Sequence, residues 1–240
     1  MNKKLWSLMA VVGSLPFLAA TAIAGELQQD PAEHWDEFWH EIMIDIISIG
    51  VVFMICFIYV LIRNIAQSPD QEGTGTKLTP LQSIGWTLIP AFCFMADDFY
   101  LAAQSWQLFN LQRNVPANHY EVKVTASMWN FNYTYPNACK EADNCVEVMN
   151  ELRVPAGKPI LLRMTSSDVI HNHSIPDFRI LEDSMPGRVT YLWFYPKTPG
   201  EHLVTCKEYC GTMHSKMISK VIAMPESEFD KWIETEKNDL

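Results

Sequence analysis

Residues 206–217 read CKEYCGTMHSKM. Two cysteines lie four apart, His214 follows four residues later, and Met217 three after that. Three chemistries use such a set. Cys206 and Cys210 could form a disulfide, but a disulfide needs neither His214 nor Met217. Zinc takes four Cys or His ligands in a tetrahedron, and the distant His171 of DVIHNHSIP could supply the fourth. Zinc has no use for a thioether, whereas copper suits both thiolate and thioether ligands.

A mononuclear blue-copper site takes one Cys, two His and a weak axial Met. This chain offers that set and one cysteine more. Two thiolates can bridge two coppers, each copper then taking one histidine, with Met217 and a backbone carbonyl as weak ligands. Bridged metals share an electron, which spreads the structural change over two ions and keeps reorganisation small.

The ligands need a rigid carrier. From about residue 112 apolar and polar residues alternate, as in Val122, Val124 and Ala126, the period of a half-buried strand. Trp129, Phe131, Tyr133 and Tyr135 continue that period. The runs ILLRMT, RVTYLWF, HLVTC and ISKVIAM are further strands, separated by turn signals such as PAGKP and KTPGE. An antiparallel β-sandwich or barrel is expected over 112–225, with an amphipathic helix in 226–240. Cys139 and Cys145 flank a short polar loop and are placed to form a disulfide.

The first half is different. The chain is 48% hydrophobic with a net charge of −10, and most of the apolar excess precedes residue 110. Residues 1–24 have a basic start at Lys3 and Lys4, an apolar run, and small residues at Ala22 and Ala24, the form of a signal peptide. Segment 25–41 is acidic, with six Asp or Glu and no Lys or Arg. Segment 42–63 is long and apolar enough to span a bilayer. Segment 81–106 spans only if it continues past Pro90 and through Asp97 and Asp98. Arg63 and Lys77 put the loop 64–80 on the cytoplasmic side. Cys56 and Cys93 fall in the apolar runs as small core residues. The expected fold is a membrane-anchored all-β chain, two transmembrane helices followed by the β-domain.

The motif Cys206, Glu208, Cys210, Gly211, His214, Met217 resembles the dinuclear CuA signature of bacterial-type cytochrome c oxidase subunit II, and DVIH with MPGRVTYLWF resembles the same family's segments. The resemblance implies a Greek-key cupredoxin domain on the periplasmic face of the bacterial inner membrane. It implies side-chain copper ligation by His171, Cys206, Cys210, His214 and Met217. Glu208 would ligate through its carbonyl, with its carboxylate sharing magnesium with subunit I. The spacing to Pro176 matches His171, not His173, to the family's ligand. SMWNFNYTYP resembles the run through which the family accepts electrons from cytochrome c, and Trp129 matches the entry tryptophan. Phe131 stands where a second Trp is common, and Ser83 where a glutamate often marks a proton channel.

The implied function is electron entry for a respiratory haem–copper oxidase, an oxidoreductase and translocase. Its implied partners are subunit I, subunit III, cytochrome c and membrane lipid, with no nucleic acid. No C-x-x-C-H haem motif occurs, so oxygen would be reduced in subunit I. Two other readings fit the residues: a CuA subunit of a nitric oxide reductase, and a copper carrier or assembly protein. Asp97 and Asp98 are expected either at the outer interface or paired with a basic group of a partner.

Overall fold

The computed structural model describes residues 30–73, 75, 77–141 and 144–240. The expected signal peptide lies outside them, as do residues 25–29 of the acidic segment.

Two long helices come first. Helix α1 runs Pro31–Arg63 and α2 runs Pro80–Arg113. Both start on proline, whose fixed φ suits a first helical position and whose missing N–H costs nothing there. Asp30 caps α1 by accepting from the Ala32 N–H at 3.0 Å. Thr79 and Gln82 form a reciprocal capping box on α2. Helix α1 therefore takes in segment 42–63 and also eleven residues ahead of it. Pro90 sits inside α2 without ending it. Among the described residues, α1 is the helix long and apolar enough to cross a membrane. Cys56 and Cys93 are exposed on these helices. They are not core residues as expected, because single helices have no core of their own.

The β-domain has ten strands: β1 Tyr120–Ser127, β2 Asn130–Glu141, β3 Asn144–Met149, β4 Glu151–Pro155, β5 Ile160–Ser166, β6 His171–Ile175, β7 Ile180–Ser184, β8 Thr190–Phe194, β9 Gly200–Thr205 and β10 Ile218–Met224. They form two five-stranded sheets, β3-β2-β1-β5-β8 and β4-β10-β9-β6-β7. The pairs β1–β5 and β4–β10 are parallel, which corrects the antiparallel expectation. Alternation with period two has no direction, so a sequence cannot show which way a distant partner runs. Cys139 and Cys145 are disulfide-bonded.

Between the sheets lie Phe131, Tyr133, Tyr135, Leu152, Leu162, Met164 and Phe194, all essentially inaccessible. Fully burying a side chain such as Phe194 contributes about 1.5–3 kcal/mol. Helix α3, Glu226–Asn238, closes one end by packing Phe229 and Trp232 against Tyr135.

The long helices are tied to this domain. Arg179 bonds Asp36 at 2.9 Å and lies over the Trp35 ring, while Lys197 bridges to Asp30 and Glu33. At the end of α2, the Trp193 indole N–H donates to the Leu111 carbonyl at 3.2 Å and Arg113 pairs with Glu182 at 2.9 Å. Tyr100 donates to Glu41 across the two helices at 2.6 Å. Asp97 is half-buried and Asp98 exposed.

Candidate metal centre

Strands β9 and β10 are paired antiparallel from Ala223↔Gly200 to Ile218↔Thr205. Residues 206–217 form the loop that joins them. Cys206 follows the last residue of β9 and Met217 precedes the first of β10, and the Cys206 N–H donates to the Met217 carbonyl at 3.2 Å. The loop's ends are thus clamped together. A 3-10 turn, His214–Lys216, folds its far side inward.

The clamp gathers the donor atoms. Cys206 Sγ lies 3.7 Å from Cys210 Sγ and 3.2 Å from the Glu208 carbonyl oxygen. Cys210 Sγ lies 3.5 Å from His214 Nδ1 and 3.7 Å from Met217 Sδ. His171, at the start of β6, brings its ring to the same place: its donor atom and the two sulfurs all lie within 4.8 Å of one another. All six residues expected as ligands are therefore in one cluster. His171, Cys206, Cys210 and Met217 are buried. His173, two residues further along β6 and on the same face, lies against Tyr133 and Phe131 inside the sandwich, where burial pushes its imidazole down to about 3 and keeps it neutral.

His171 is oriented by a residue the sequence reading passed over. Its Nε2 lies 2.8 Å from Asp168 Oδ1, and its Nδ1 is buried with no hydrogen-bond partner among the described residues. Asp168 also accepts from the backbone N–H of Val169 at 2.6 Å and of Met128 at 2.7 Å. Partial burial opposes its ionisation, but the bonds from His171, Met128 and Val169 prevail and hold the carboxyl down to about 2. An ionised carboxylate on one imidazole nitrogen makes the other the free donor, the usual device behind a metal-bound histidine. The signal was available, since Asp168 opens the DVIH segment.

The donor set fits copper: two soft thiols, two imidazoles and a thioether, with one imidazole nitrogen buried and unpartnered. Burial and the adjacent Cys206 thiol push the Cys210 thiol up to about 12 without metal, so metal binding must displace a proton.

Trp129 is not on a strand face as expected. It lies in the turn between β1 and β2, half-buried. Gly211 adopts φ +118°, and a Cβ there would stand 3.3 Å from Trp129 Nε1. The glycine thus lets the indole rest against the backbone of the 206–217 loop. Met128, Tyr209 and Met213 are exposed at this end of the domain.

Residues 120–224 match the family model for cytochrome c oxidase subunit II, periplasmic domain. Over these residues, a little under half of its length, the chain is similar to the cytochrome c oxidase subunit II family. The alternative cytochrome c oxidase subunit 2 of Bradyrhizobium diazoefficiens is 32% identical over 147 residues, 51% of this chain and 53% of that protein. The cytochrome c oxidase subunit 2 of Cereibacter sphaeroides is 27% identical over 233 residues, 84% of this chain and 75% of that one. The chain thus spans about half of the first relative's length and three quarters of the second's. The crystal structure of the periplasmic domain of subunit II of cytochrome oxidase (CoxB) of Bradyrhizobium japonicum is 29% identical, with 52% of this chain and 99% of that one covered and a TM-score of 0.49.

Proposed function

We propose that this chain is the electron-entry subunit of a bacterial respiratory haem–copper oxidase, holding a dinuclear CuA centre between a cytochrome c donor and haem in subunit I. The observation that carries the reading is the convergence of two sulfurs, two imidazoles, a thioether and a carbonyl on one buried point. When bound, the copper pair would supply a one-electron couple with little reorganisation. His171, Cys206, Cys210, His214 and Met217 would hold it through side chains and Glu208 through its carbonyl oxygen. The Glu208 side chain is exposed, which suits a magnesium ion shared with subunit I.

Burial of the ligands favours an electron-transfer site over a copper carrier, because exchange with a partner needs open thiols. Helix α1 suits one membrane span. Helix α2 is the proposed second, carrying exposed Trp86, Ile89, Phe92 and Phe94 to a neighbouring subunit or lipid. Arg63 and Lys77 between them would face the cytoplasm, leaving the β-domain on the periplasmic side. Subunits I and III would be its membrane partners.

Trp129 is the proposed entry point. It is half-exposed outward and rests inward on Gly211 of the metal loop. Trp129→Leu is expected to slow reduction of the copper-loaded chain by reduced cytochrome c at least about 10-fold, about 1.4 kcal/mol in the barrier, with the copper absorption spectrum unchanged. Stopped-flow mixing measures this, and an unchanged rate would remove Trp129 from the route.

A further inference from the structure

Tyr133 sits on β2, in the sheet that supplies no ligand, yet its hydroxyl reaches the two strands that flank the metal loop. It lies 3.0 Å from His173 Nε2 and 2.8 Å from Ser219 Oγ. His173 is two residues beyond His171 on β6, and Ser219 is two beyond Met217 at the start of β10. A strand repeats its facing every second residue, so each contact lies on the ligand's own side of the chain. Tyr133 and His173 are fully buried and Ser219 nearly so. Phe131 packs edge-on against the His173 ring, with centroids 4.8 Å apart.

The sheet itself leaves this job open. Strands β9 and β10 are paired over six positions, which fixes Cys206 against Met217. Strand β6 meets β9 at a single pair, Ser174↔Thr205. The His171 strand is therefore weakly laddered to the strands that carry the other five ligands. A phenol oxygen can donate one hydrogen bond and accept another, so one hydroxyl can tie both strands at once.

Resting on the copper reading above, we propose that Tyr133 is a positioning residue for the metal centre, its hydroxyl setting the separation of His171 from Met217. Without the hydroxyl, His173 Nε2 and Ser219 Oγ are left buried without this shared partner. Strand β6 is then free to tilt, and His171 moves with it. Tyr135 supplies the comparison: it lies on the same face of β2, but its hydroxyl bonds the backbone N–H and carbonyl of Arg153 on β4 instead.

The test uses the full chain in detergent, loaded with copper, as wild type, Tyr133→Phe and Tyr135→Phe. The copper EPR hyperfine pattern, the midpoint potential and copper retention against a chelator are read for each. Tyr133→Phe is expected to keep the copper pair, shift its hyperfine pattern and potential, and lose about 10-fold in retention. Tyr135→Phe is expected to match wild type. A folded, loaded Tyr133→Phe with wild-type spectrum and potential overturns the proposal, as do equal shifts in both variants. Should Tyr133→Phe not fold, Ser219→Ala removes only one of the two bonds and must shift the spectrum, and a wild-type spectrum there overturns it equally. The wild-type spectrum separately tests the copper reading: with no coupled pair in wild type, that reading fails first.

Discussion

Cys206→Ser is expected to abolish the coupled copper signal, leaving a single copper or none on the chain. The effect should exceed that of any other single substitution outside the ligand set. Cys206 Sγ lies 3.7 Å from Cys210 Sγ and 3.2 Å from the Glu208 carbonyl oxygen, so its thiolate would be one of the two that hold the copper pair. A serine hydroxyl is too hard a ligand for reduced copper and keeps its proton at neutral pH. The fold should survive, because the β9–β10 ladder and the Cys206 N–H bond to Met217 are backbone contacts. Metal analysis beside circular dichroism measures both. A serine variant that keeps the coupled signal would show that Cys206 is not a bridge.

Asp168→Ala is expected to weaken copper retention by about 10–100-fold, the usual result of deleting the partner of a metal-binding histidine. The carboxylate does more than hold His171. It also binds the Met128 N–H at 2.7 Å, which seats the turn carrying Trp129 beside the metal loop. Asp168→Ala should therefore slow electron entry as well, beyond what lost copper explains. Asp168→Asn should lie between the two, since an amide can accept from only one side and carries no charge. Chelator competition and stopped-flow reduction at full copper loading separate the effects. If Asp168→Ala binds copper as tightly as wild type, the orienting role is wrong.

The candidate centre was legible because five of its six ligands fall within residues 206–217 and the sixth sits in a recognisable segment. Cysteines, a histidine and a methionine at those spacings have few other uses. The long helices were legible from apolar runs, though α1 starts earlier than hydropathy alone implies because Pro31 and the Asp30 cap set its start. Strand β6 was not legible: its residues HNHSI are all buried, so polar side chains occupy both faces and no alternation marks it. Trp129 was misplaced because its spacing from Phe131 continues the strand period, while the chain turns just before Asn130. Asp168 was legible in principle, three residues ahead of His171 in the DVIH segment. Tyr133 acts through contacts to two strands far along the chain, of which its residue type alone says nothing.

The central claim rests on two thiolates sharing two coppers. Copper content and the EPR spectrum of the full-length chain, purified in detergent with copper present, test it most directly. The account predicts a copper pair on each chain, with one unpaired electron split equally over both nuclei. A single copper with a mononuclear spectrum, a preference for zinc, or a Cys206–Cys210 disulfide in the native protein would contradict it.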